Sequence, residues 1–168
     1  GGETPSGKVA NSYTYNGTSW TATPNSMNTA RDQIVGGGIQ TSALAVGGRT
    51  PPAAMQTNLE EWNGTSWSNL PAMSQARGYA QANGPETAFF IASGATGPNG
   101  GAPFTSETEN YDGTSLSTGS NINTARGAGG AAGDSANALI FGGNHPGSPT
   151  LQTEKYDGTS WSEIADLA

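Results

Sequence analysis

The sequence contains no cysteine and a single histidine, His145. Without thiols there is no disulfide framework, no thiolate metal site and no cysteine nucleophile; the redox compartment stays open. Charge is scarce too: only 11% of residues are charged, six Lys and Arg against thirteen Asp and Glu. So few cations cannot collect a phosphate backbone, which argues against DNA or RNA as a partner. No apolar run approaches the roughly 18 residues of a membrane-spanning helix, so no membrane insertion is expected. The opening Gly1-Gly2-Glu3 has neither an initiator Met nor a basic-then-apolar leader, so a targeting segment is read as absent or removed.

Aliphatic side chains are also few. Leu, Ile, Val and Phe number twenty in 168 residues, beside 26 Gly and 10 Pro. Chains below about 20% in those four types are often disordered when strongly charged. This one carries a net charge of only −7. The alternatives are a disordered tract or a repeat protein whose small modules share a thin core, and periodicity separates them.

Periodicity is plain. Tyr15-Asn16-Gly17-Thr18-Ser19-Trp20 returns as Trp62-Asn63-Gly64-Thr65-Ser66-Trp67, as Tyr111-Asp112-Gly113-Thr114-Ser115-Leu116 and as Tyr156-Asp157-Gly158-Thr159-Ser160-Trp161. The leading aromatics stand 47, 49 and 45 residues apart. Ala30-Arg31, Ala76-Arg77 and Ala125-Arg126 keep step, as do Gly47-Gly48, the degenerate Ser93-Gly94 and Gly142-Gly143. Glu60, Glu109 and Glu154 each precede an aromatic by two positions.

Each period reads as four short strands. Asn-Gly or Asp-Gly between strand-like runs signals a hairpin, here expected as a type I′ turn with positive φ at both central residues. Apolar runs such as Ala43–Val46, Ala88–Ala92 and Ala138–Phe141 read as strands covered on both faces. The Gly and Ala stretches ahead of them suit an innermost strand where sheets crowd together. The fold class is therefore all-β: four-stranded antiparallel sheets repeated as the blades of a β-propeller, each burying its faces on the next. Trp and Tyr rings are expected to supply much of that burial.

The order of an Arg, a Gly-rich strand, an apolar run ending in Gly-Gly, then Glu-x-Tyr/Trp and a Trp after a turn resembles the kelch repeat. It is clearest from Arg31 to Trp67 and from Arg126 to Trp161; Ser93-Gly94 and Leu116 depart from it. The wording "NGTSW" or "DGTSW" with "NTAR" is similar to kelch-like repeats of bacteriophage, marine viral and bacterial structural proteins. The resemblance implies a propeller used mostly for binding or scaffolding, with a few enzymes among its members. On this reading residues 1–30 are the second half of a preceding blade, and residues 31–75, 76–124 and 125–168 are three further blades. About three and a half blades are fewer than the six or seven that usually close a kelch propeller. The partners expected are the remaining blades of a longer chain or further copies of this one, with an unusual cap or an open array as a third possibility.

Candidate contact residues fall into two groups. Arg31, Arg77 and Arg126 recur at one repeat position and could ring a channel mouth, gripping a carboxylate, sugar acid or phosphate. The alternative is that each pairs with Glu60, Glu109 or Glu154, whose periodicity is the same. The loops 49–57, 95–106 and 144–150 differ most between repeats and are either recognition loops or tolerated spacers. Within them Arg49, Asn99, Phe104, Asn144 and His145 are the least blade-like residues. His145 has no recurring Ser or Asp around it, the aspartates are scattered, and no cofactor or metal is expected. Asn16-Gly17-Thr18 and Asn63-Gly64-Thr65 match a glycosylation pattern, but Asp replaces Asn in the other copies, so they read as turns. The function expected is that of a non-enzymatic structural or adhesive module on a virion or extracellular surface, binding a surface glycan or cell-surface protein. A lectin, or a piece of a kelch-type enzyme with its catalytic groups on other blades, are the alternatives.

Overall fold

The structure, a computed structural model, describes residues 1–98, 101–146 and 148–168. Along the chain, β1 (Gly2–Thr4) and β2 (Gly7–Val9) form one hairpin, and β3 (Tyr13–Tyr15) and β4 (Trp20–Ala22) a second. Sheet 1 follows, with β5 (Val35–Ile39) and β6 (Ser42–Val46), a small hairpin of β7 (Arg49–Thr50) and β8 (Ala54–Met55), then β9 (Leu59–Trp62) and β10 (Trp67–Asn69). Sheet 2 comprises β11 (Gln81–Asn83), β12 (Phe89–Ala92), β13 (Thr108–Tyr111) and β14 (Leu116–Thr118). Sheet 3 comprises β15 (Gly130–Gly133), β16 (Ala138–Phe141), β19 (Thr153–Tyr156) and β20 (Trp161–Ile164), with the small hairpin of β17 (Asn144–His145) and β18 (Ser148–Pro149) between its middle strands. All three sheets are antiparallel with strands in sequence order. A short 3-10 segment at Glu86–Ala88 leads into β12.

The outer hairpins lie where the Asn-Gly and Asp-Gly pairs put them, but the turn is not type I′. Gly17, Gly64, Gly113 and Gly158 have φ of 89 to 95°, whereas Asn16, Asn63, Asp112 and Asp157 do not take positive φ. The side chain of the first residue decides this. Asn63 Oδ1 accepts the N–H groups of Thr65 and Ser66 at 2.9 Å, and Asp112 Oδ1 accepts those of Thr114 and Ser115 at 2.8 Å. Such an Asx turn closes a four-residue loop, so only the glycine must be left-handed. Aromatic pairs bracket the turns: Trp62 and Trp67 lie 5.6 Å apart between ring centroids, and Tyr156 and Trp161 4.9 Å.

The core lies between sheets. Leu44, Val46, Leu59, Ala80, Ala82, Phe89 and Ile91 cluster between sheets 1 and 2; Phe90, Ala92, Ala138, Ile140, Tyr156 and Trp161 cluster between sheets 2 and 3. Two thin apolar layers use the meagre aliphatic content where one central core could not. The inner strands run side by side, β5 next to β11 and β11 next to β15. Crowding there is real: a Cβ on Gly37 would stand 2.7 Å from the Phe89 ring.

A backbone ladder joins the sheets. Tyr79 N donates to Gln33 O at 3.0 Å and Ala128 N to Tyr79 O at 2.9 Å. Gln33, Tyr79 and Ala128 each stand two residues after the recurrent arginine, and each holds a left-handed φ of 53 to 59° despite carrying a side chain. In three of the four pairs the second member adds a further rung, Gly2 N to Arg31 O, Gly48 N to Arg77 O and Gly94 N to Arg126 O, all 2.9 Å. Ser93, where the pair is degenerate, keeps the left-handed φ of 59° and hydrogen-bonds Gln81 Oε1 at 3.0 Å.

Two expectations of burial need correction. Leu139 on β16 is 37% exposed, because among the described residues no further sheet packs on the outer face of sheet 3. Trp20 is 70% exposed and Trp67 half-buried, whereas Trp62 and Trp161 are buried. Ring burial therefore depends on whether a neighbouring sheet is present, not on the repeat position alone.

Candidate functional site

The recurrent charges meet inside the molecule. Arg31, Arg77 and Arg126 are fully buried, and each reaches a glutamate on the third strand of its own sheet. Arg31 pairs with Glu60, Arg77 Nη2 lies 2.6 Å from Glu109 Oε2, and Arg126 Nη1 2.8 Å from Glu154 Oε1. The same carboxylates accept the backbone N–H three residues before the arginine: Asn28 at 2.6 Å, Ser74 at 2.9 Å and Asn123 at 2.7 Å. Each glutamate thus clamps the connection that leads into its sheet. Burial pulls the Arg77 guanidinium below its ordinary pKa, with Glu109 and Glu107 opposing the shift. Of the two alternatives for Arg31, Arg77 and Arg126, the geometry is that of pairing with Glu60, Glu109 and Glu154, and none of the three guanidinium groups is exposed.

The variable loops gather at the edge where each inner strand begins. Backbone bridges tie Asp32 to Arg49, Gly78 to Ala95, Ala95 to Phe104 and Gly127 to Asn144. Arg49 and Asn144 therefore hold equivalent places. Phe104 is half-buried, its ring beside Gly127. Asn144 and His145 are exposed, His145 pairing across its small hairpin with Ser148. Asn99 lies outside the described residues.

Arg49 sits in a charge network. Its Nε and Nη2 fork onto Asp32 at 3.2 and 2.8 Å, and Lys8 Nζ reaches both Asp32 Oδ2 and Glu3 Oε1 at 2.7 Å. Burial opposes ionisation of Asp32, but the hydrogen bonds from Arg49 and Lys8 outweigh it and hold the carboxyl at about 2. A hollow of about 300 Å³ opens beside this network, lined by Glu3, Gly7, Lys8, Arg49, Pro51 and Pro52. Two cations, Lys8 and Arg49, and one carboxylate, Glu3, line this hollow and present donors and acceptors together, a surface matched to hydroxyl-rich or zwitterionic groups more than to a lone anion.

Sequence reasoning missed Glu3, Lys8 and Asp32 as members of this site. The signal was available: Gly1-Gly2 is a fourth copy of the glycine pair, so residues 3–10 form a fourth variable loop. Gly2 N reaching Arg31 O repeats the Gly48 to Arg77 bond. Among the described residues no group of three or more His, Cys, Asp or Glu could hold a metal ion, and no helix is long and apolar enough to cross a membrane. No protein-family model matches the sequence, and no curated protein matches it significantly.

Proposed function

We propose that the chain is a run of kelch-like propeller blades acting as a non-enzymatic structural or adhesive module, displayed on a virion or extracellular surface. The observation that carries this reading is the division of labour between the repeats' constant and variable parts. Constant charges are buried as Arg–Glu clamps, while divergent loops stand together on one edge of a rigid array. Loops on such a scaffold commonly bear recognition. Binding of a surface glycan or cell-surface protein through Arg49, Asn144, His145 and their neighbours follows from that arrangement. Low charge and abundant Ser, Thr and Asn suit exposure. A lectin role is the second reading, favoured by the mixed-charge hollow beside Arg49.

The test is a glycan array and a cell-binding assay with the purified chain, beside an Arg49→Ala/His145→Ala variant. Binding by the parent, lost or reduced at least severalfold in the variant, supports the loop edge. Binding that both proteins share equally, or silence in both assays, overturns it. Intact mass with light scattering on native material distinguishes a longer polypeptide from an assembly of copies.

A further inference from the structure

In each complete sheet the third strand is covered on its inner side by the second: β6 on β9, β12 on β13 and β16 on β19. By repeat position β3 is a fourth such third strand, and among the described residues its ladder partner is β4 alone. Ser12 O accepts Thr23 N within that hairpin, so antiparallel alternation turns the backbone groups of Tyr13 and Tyr15 outward. The Tyr15 carbonyl is met by the Gln40 side chain, Nε2 at 3.1 Å, where a strand backbone stands in the other repeats. Open strand edges recruit strands.

Beside this edge lies a hollow of about 340 Å³, bordered by Tyr13, Trp20, Ile34, Gly36, Ala45 and Trp67. Its walls have counterparts. Ile34, Gly36 and Ala45 correspond to Ala80, Ala82 and Ile91, which enclose Leu44 between sheets 1 and 2. Ala131 and Ile140 likewise enclose Phe90 between sheets 2 and 3. At the first interface the side chain equivalent to Leu44 and Phe90 is the one that would fill the hollow.

We propose that the β3 edge and this hollow are the docking site for a β-hairpin of the inner type: a Gly-rich strand, a tight turn and an apolar strand that adds antiparallel to β3 with a Leu or Phe in the hollow. The occupant is further specified by Tyr13, which stands where the other repeats carry Glu60, Glu109 and Glu154. Tyr13 is 55% exposed and offers no carboxylate. A hairpin bearing the usual arginine would bury that charge unpaired, so the matching hairpin carries an apolar residue in its place. This docking needs only the recurrence of the sheet and is independent of the binding role proposed above.

The segment 29–46 directly precedes Gly47, the counterpart of Gly1, so a copy of it placed ahead of Gly1 in the full chain presents the hairpin to the edge at high effective concentration. The copy is made with its arginine kept or with Arg31→Leu, each in the parent and in Tyr13→Glu, against a scrambled extension. The Arg31→Leu copy is expected to slow amide exchange at Tyr13 and Tyr15 about tenfold or more in the parent. The arginine-bearing copy is expected to match it only in the Tyr13→Glu chain. Exchange no slower than with the scrambled extension overturns the site. Equal protection by both copies in the parent overturns the apolar requirement. If the unextended chain already protects these amides and light scattering reports a dimer, a second copy holds the edge and the hairpin assignment fails.

Discussion

Trp161 Nε1 donates a hydrogen bond to Thr108 Oγ1 at 3.1 Å, from the last strand of sheet 3 to the third strand of sheet 2. The equivalent bond between Trp67 and Ser12 spans 2.9 Å. In the intervening repeat Leu116 replaces the tryptophan, and the residue at the facing repeat position is Leu59, a member of the apolar cluster that Leu116 packs against. The two positions match in polarity across every interface, which accounts for the missing tryptophan at Leu116.

Thr108→Val removes the acceptor and leaves a buried indole N–H unpaired. A loss of about 1–3 kcal/mol is expected in equilibrium denaturation. The matched double variant Thr108→Leu/Trp161→Leu, which copies the Leu59 and Leu116 arrangement, should recover part of what Trp161→Leu alone loses. A strictly additive double-mutant cycle would show that the two residues do not couple.

Tryptophan replacements should rank by their neighbours. Trp62→Ala and Trp161→Ala are each expected to cost roughly 3–5 kcal/mol, the range for truncating a buried large aromatic. Trp67→Ala should cost less, since Trp67 is half-buried, and Trp20→Ala least. Denaturation midpoints check the order; a midpoint for Trp20→Ala as low as that for Trp62→Ala would contradict it.

The Arg–Glu clamps are more easily broken than replaced. Glu154→Gln leaves Arg126 buried without its counter-charge, and roughly 3–5 kcal/mol should be lost. Arg126→Met/Glu154→Leu removes both charges and should be less damaging than Glu154→Gln, although the N–H of Asn123 loses its acceptor. Thermal denaturation of the two variants decides between them.

Gly64→Val should destabilise its hairpin by about 1–2 kcal/mol, the cost of holding an L-residue left-handed. The φ of 91° is the cause, since a Cβ at Gly64 would come no closer than 3.4 Å to its neighbours. Gly64→Asn should cost less, and chemical denaturation measures both.

Acid should act on two turns and spare two. Backbone N–H groups of Ser115 and Thr114, and of Ser160 and Thr159, hold the Asp112 and Asp157 carboxyls below the ordinary carboxylate pKa. A folded pKa below the unfolded one gives stability that is present above the unfolded value and is lost as pH falls through the folded value. Amide exchange at Thr114, Ser115, Thr159 and Ser160 should therefore accelerate in acid, relative to Thr18, Ser19, Thr65 and Ser66 at the Asn turns. Asp32 follows the same sign. Its contribution is complete above its ordinary 3.8 and disappears as pH falls through about 2, and Asp32→Asn should flatten stability across that window.

The sheet repeat, the hairpin sites and the Arg–Glu pairing were legible because each is written several times in step. Hydrophobic alternation and turn residues act locally, so one copy interprets the others. The side-chain acceptor that sets the turn type at Asn63 was not legible, because an Asn-Gly pair suits both conformations. The exposure of Leu139 and Trp20 depends on which sheets adjoin them, and no local pattern encodes that. The Lys8–Asp32–Arg49 network joins residues from three separate segments, and only the fourth glycine pair hinted at it.

The left-handed carbonyls and amides of Gln33, Tyr79 and Ala128 hand one hydrogen bond from each sheet to the next. The pitch of the stack is consequently gauged by main chain, which every residue type supplies. Inner strands as unlike as Val35-Gly36-Gly37-Gly38-Ile39 and Gln81-Ala82-Asn83 can then drift in sequence while neighbouring units stay in alignment, and a duplicated unit inherits the same connector at both ends.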